Sequence, residues 1–213
     1  MLKSKITIAT LAIATVLAAL CSPSFAAVVD YQGMGLKQQV RIHAPGTLAD
    51  GKKIKAGEMK LSIDGSATIK GWCVDLDHWA GDGEASIEPL SFIQNGDLAA
   101  WLHATYSGGS SSEQAAALAS AIWEVTHEDD GIYDLANGSF SISENAGVLT
   151  AGNAMLAGMP ASWTAPTGYG VLHLESAQDF LVFSPETVPE PGTMVLLSLG
   201  GLAAFARRRR QTA

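Results

Sequence analysis

The stretch from Val188 to Ala213 confines any globular fold to the residues that precede it. Val188, Pro189, Glu190, Pro191 and Gly192 come first, an uncharged run spans 193–206, and Arg207, Arg208, Arg209 and Arg210 follow. Two prolines two positions apart fix φ and remove backbone donors, so this segment is neither helix interior nor central strand. It should stand extended and accessible to a processing enzyme. The run holds Met194, Val195, Leu196, Leu197, Leu199, Leu202 and Phe205 without a charge. As a helix it would reach roughly 21 Å, against about 30 Å of bilayer hydrocarbon. That length alone favours a buried core helix or an interfacial segment. Four arginines at its end, in a chain of net charge −8, fit a cytoplasmic stop better than a packed helix. Local thinning of the bilayer accommodates a short span. The expectation is a membrane helix over 193–206 and a cytoplasmic tail over 207–213.

The front of the chain has the matching form. Lys3 and Lys5 precede the apolar stretch 6–20, and Ser24, Phe25 and Ala26 place small residues before a cut between Ala26 and Ala27. This is the pattern of a signal peptide over 1–26, removed by signal peptidase. Cys21 follows Leu20, where lipoprotein processing requires a small residue. Residues 27–187 remain as one domain-sized unit, long enough to bury a core.

Val188-Pro189-Glu190-Pro191-Gly192, the short apolar run and the terminal arginine cluster resemble the PEP-CTERM sorting signal. The resemblance implies export by a Gram-negative bacterium that makes extracellular polysaccharide. It also implies recognition by an exosortase, a membrane transpeptidase that removes the tail near the Pro-Glu-Pro. Transient anchoring through the C-terminal helix and release to the cell surface or biofilm matrix would follow, with polysaccharide as partner.

Without its two ends the chain is strongly acidic. All seven Lys and Arg of 27–187 lie between Lys37 and Lys70, whereas 71–187 hold no basic residue and 16 carboxylates. A surface of this sign does not neutralise phosphates, so nucleic acid is not an expected partner. Once Cys21 leaves with the leader, Cys73 has no disulfide partner and is either an inert core thiol or a reactive one.

Apolar and polar residues alternate over 38–42 and 59–63, predicting half-buried strands. Asp64-Gly65 predicts a hairpin into a strand through Trp72, Val74 and Leu76, which carries Cys73 with Asp75 two residues on. Gly81-Asp82-Gly83 reads as a turn. Leu98, Trp101, Leu102 and Thr105 recur at helical spacing after a cap at Asn95 or Asp97. Ser107–Ser110 is a loop. Ser110 and Glu113 have the spacing of a capping box and open an alanine-rich helix with Leu118, Ile122 and Val125 on its core face, ending near 127–131. A strand near 140–142, a weaker helix over 144–156, a Pro/Gly loop over 158–168 and two strands near 171–174 and 180–183 complete the series. The order of strands, helices and strands predicts an α+β fold, an antiparallel sheet or barrel-like core with an inserted alanine-rich helical segment.

Trp72-Cys73-Val74-Asp75 together with Leu118 to Glu124 resembles the thioester domains of bacterial adhesins. There a strand cysteine bonds to a glutamine on an alanine-rich helix. The matching position here is Ala119, which has no carboxamide, and Gln114 lies about 140° around the helix. The resemblance therefore implies the scaffold with Cys73 as core and Trp123 as a packing residue. A covalent adhesion module using Cys73 is the alternative. A cysteine hydrolase would need His78, His103 or His127 beside Cys73, with Asp75 behind it. Ser120, in mid-helix, lacks a nucleophile elbow. Asp129, Asp130 and Asp134 are weak calcium candidates in the acidic turn 128–134, which lacks EF-hand spacing. Trp79, Trp101 and Trp163 are candidates for stacking on sugars. The sequence thus predicts an exported, non-catalytic protein without a cofactor.

Overall fold

Strand β1 spans Ala27–His43, far beyond the segment that alternation picked out. Gly33 and Gly35 break the sequence pattern there, but in the fold they serve the strand. β1 pairs antiparallel with β2 (Lys53–Ile63), and the register slips between Tyr31 and Met34 and again between Met34 and Lys37. Each slip adds one unpaired residue to β1, a bulge that bends the strand. Gly33 takes φ +96° in the first bulge, a conformation open to glycine. At Gly35 a Cβ would collide with the carboxylate of Glu58. That carboxylate is buried, accepts from Lys70 Nζ at 2.5 Å and lies 3.4 Å from the amide of Leu36.

The computed structural model describes residues 27–129 and 131–183, all within the compact unit Phe25–Pro185. After β3 (Ile69–Cys73), β4 (Gly83–Glu88) and a 3-10 turn at Leu90–Phe92, the chain forms α1 (Gly96–Tyr106) and α2 (Ser112–His127). Then come β5 (Ser141–Ser143), α3 (Ala146–Ala157), β6 (Tyr169–His173) and β7 (Phe180–Phe183). The expected third-strand segment through Val74 and Leu76 ends at Cys73. Beyond it the Val74 amide still donates to Asp179 O. β4 lies where only a turn was expected, since Gly, Glu, Ala and Ser give a weak strand signal.

The sheet runs β2-β3-β7-β6-β4-β1, and β1 pairs with β2 again, so the ring of antiparallel strands closes. Closure removes edges. β4 and β5 take the same edge of β1 at opposite ends, pairing at 27–29 and 41–43. This is the α+β, barrel-like architecture that the order of elements predicts.

Helix α2 is the hub, packing against β1, β2, β3, α1 and α3. Every residue from Ala115 to Thr126 is buried, not only the face of Leu118, Ile122 and Val125. Five alanines make this possible, because their small side chains let neighbours approach from all sides. The cap also differs by one residue from the expected box. Ser111 accepts from the amide of Gln114, and Gln114 Oε1 accepts from the amide of Ser110. In α1 the buried residues are Gly96, Ala99, Ala100 and Leu102, while Leu98 and Trp101 are half-buried and Thr105 exposed. Asn95 sits at the cap position, but its side chain does not cap α1. Its Nδ2 donates to Val125 O, and Gln94 Nε2 donates to Glu128 O, so the approach to α1 satisfies carbonyls at the end of α2.

Candidate functional site

Pairing between β3 and β7 sets Cys73 opposite Phe180, and α2 brings Trp123 over it. The thiol is fully buried and donates to Asp75 O at 2.9 Å, while Trp123 Nε1 donates to Sγ at 3.3 Å. Burial pushes the thiol well above the usual cysteine range, outweighing these two hydrogen bonds. A thiol held protonated is a poor nucleophile. Ala119 is buried on the same helix.

The three histidines take other partners. His78 Nδ1 pairs with Asp75 Oδ2 at 2.7 Å on the surface, and this bond raises the imidazole's affinity for a proton. His103 Nδ1 meets Tyr169 Oη at 2.7 Å, with the ring edge against Trp72. Burial pushes His103 down to about 4, aided by the positive charge of Lys70. His127 Nδ1 lies beside Thr126 Oγ1 and Trp123 O and is likewise lowered by burial. None of the three hydrogen-bonds to Cys73. The geometry therefore assembles a packed thiol–indole pair, not the elements of a cysteine hydrolase. Ser120 Oγ donates back to Ala116 O within its helix.

The acidic turn is organised from inside by α2, and no sequence signal marked this. Glu124 and Glu128 are buried at its C-terminal end. Glu124 Oε1 accepts from the amide of Asp134, while Glu128 accepts from the amides of Asp129 and Phe140 and from Ser139 Oγ. Asp134 accepts from Asn137 Nδ2, the Ala136 amide and Asn153 Nδ2, and these donors hold it below the usual carboxylate range. Its oxygens are engaged in ordering the turn. Asp129 is exposed, and Asp130 lies outside the described residues. Among the described residues no group of three or more His, Cys, Asp and Glu could hold a metal ion.

The candidate sugar-stacking aromatics separate. Trp101 packs edge-on to Tyr106. Trp79 is 51% exposed, with Lys52 Nζ 5.0 Å from its ring centre. Trp163, on the 158–168 loop, is half-buried and lines a cleft of about 320 Å³ with residues from the 3-10 turn and the start of α1. The amide of Ala165 donates to Asp97 Oδ1 at 3.2 Å and ties that loop to α1.

Ala27, the residue after the expected leader cut, is buried at the start of β1 and pairs with Ala85. Ala26, the motif Val188 to Gly192, the apolar run 193–206 and Arg207 to Arg210 lie outside the described residues. Among the described residues no helix is long and apolar enough to cross a membrane.

Residues 187–210 match the family model of the PEP-CTERM protein-sorting motif. The tail is a PEP-CTERM signal, which marks an exported protein processed by an exosortase and destined for the surface or the extracellular space. No curated protein and no solved structure matches the chain, and the thioester resemblance of residues 72–124 gains no support from these comparisons.

Proposed function

We propose that the barrel is a non-catalytic component of the cell surface or biofilm matrix that works by interaction, with extracellular polysaccharide as its partner. Signal peptidase would cut between Ala26 and Ala27. The 193–206 helix would anchor the chain transiently, and an exosortase would then release it near Val188. The match of residues 187–210 to the sorting motif carries this reading. The sealed environment of Cys73 speaks against thiol chemistry at this residue, since the side chain is buried and its pKa is raised well above the usual range. The rival, a covalent adhesion module through Cys73, would need a carboxamide partner in place of Ala119.

Intact mass of the protein from the membrane and extracellular fractions of its producing cells tests the proposal. Extracellular chain starting at Ala27 and ending near Val188, at full unmodified mass between those ends, is the expected result. Chain found only in the membrane with Arg207 to Arg210 still present would overturn it. A deficit of one ammonia would favour the thioester instead.

A further inference from the structure

We infer that the cleft beside Trp163 is a carbohydrate subsite that takes a sugar ring of a neutral glycan. This rests on the polysaccharide reading above and gives it a place on the molecule. The cleft holds about 320 Å³, at the small end of the range for small-molecule sites. Its walls combine an indole and aliphatic side chains (Leu90, Ile93, Leu98) with Ser91, Ser162 and Asp97. A sugar needs this combination, a flat apolar surface for its C–H face and polar groups for its hydroxyls.

Two features single out this cleft. First, its polar groups face solvent: Ser91, Ser162 and Asp97 are exposed, and their hydroxyls and Asp97 Oδ2 have no hydrogen-bond partner among the described residues, whereas Asp97 Oδ1 accepts from the loop that carries Trp163. The wall is thus positioned by one carboxylate oxygen while the other stays available. Second, charge selects the glycan. Asp97 is the only charged residue in the lining, and 71–183 hold no Lys or Arg. A uronate chain would meet repulsion from Asp97 with no cation in the lining to bind it, whereas a neutral chain meets neither. Trp79 is more exposed, is not part of this lining and has Lys52 over its ring.

The test uses the exported protein recovered from its producing cells, with their exopolysaccharide separated by anion exchange into neutral and acidic fractions. Retardation in native gels containing each fraction gives the apparent affinity. The inference expects the neutral fraction to retard the protein and Trp163→Ala to weaken this by about tenfold or more, as for an aromatic anchor that the ligand covers. Trp163→Phe should keep part of the effect, Ser91→Trp should block it, and Trp79→Ala should leave it unchanged. The exposed Ser91→Trp variant tests the cleft even if loss of Trp163 disturbs the fold. Retardation by the neutral fraction that survives both Trp163→Ala and Ser91→Trp would overturn the cleft and leave the polysaccharide reading standing. Retardation only by the acidic fraction would overturn the proposed chemistry. No retardation by either fraction would remove both readings.

Discussion

Trp123 donates its indole N–H to the sulfur of Cys73 across 3.3 Å, and the thiol donates its own S–H to Asp75 O at 2.9 Å. This short relay joins the hub helix α2 to strand β3 at the centre of the core. It gives two polar groups partners where an unpartnered one would be costly.

Thiol reagents should therefore leave the native protein unmodified and label Cys73 only after denaturation, read by mass. Cys73→Ala strands the Trp123 N–H and opens a small void. A loss of about 1–3 kcal/mol in denaturant unfolding is expected. Cys73→Ser, which restores an acceptor, should recover part of it.

Glu128 holds the 128–140 turn from within, accepting from two amides and Ser139 Oγ. Glu128→Ala leaves the buried amide of Phe140 without its acceptor and should cost about 1–3 kcal/mol. Gly138 has φ +114°, and a Cβ there would run into the Glu128 carboxylate. Gly138→Ala should lower stability by about 1–3 kcal/mol, measured by the same unfolding curves.

His103 supplies a pH dependence of definite sign. Its folded value of about 4 lies below the ordinary 6.5, so the unfolded chain binds the extra proton first. Stability is fully present above about pH 6.5 and falls as pH drops through about 4, by at most roughly 3 kcal/mol. His127, also lowered by burial, adds in the same direction. Thermal midpoints between pH 4 and 8 should fall on acidification, and His103→Gln should flatten the lower part of that profile.

Asn95 combines φ +51° with the bond from Nδ2 to Val125 O. Asn95→Ala loses the bond and strains the backbone, at an expected cost of about 1–3 kcal/mol in thermal or chemical melts. Asn95→Gly relieves the strain and should be the milder change.

Pro189→Ala with Pro191→Ala should convert the sorting motif into a poorer processing substrate. Uncut chain should then accumulate in the membrane fraction, identified by intact mass. Normal release would count against the role of the two prolines.

The sequence by itself determined the address and the outline of the fold. The sorting motif over 187–210 is a local pattern of the chain, so it is legible without a fold. The hairpin at Asp64-Gly65 and the alanine-rich helix were legible for the same reason, since turns and helices are built from near neighbours. Tertiary structure alone decided what depends on distant partners. The bulges that let β1 pair with β2, β4 and β5 depend on Gly33 in one strand and on Gly35 making room for Glu58 in another. Burial of α2 on every side depends on neighbours that its own periodicity does not register. The cleft brings Trp163 to residues of the 3-10 turn and α1 some 65–73 positions earlier, through one hydrogen bond to Asp97. Cys73 carries the contrast most clearly. Its sequence setting allows a reactive thiol or a core thiol, and packing under Trp123 excludes water from the sulfur and leaves it protonated.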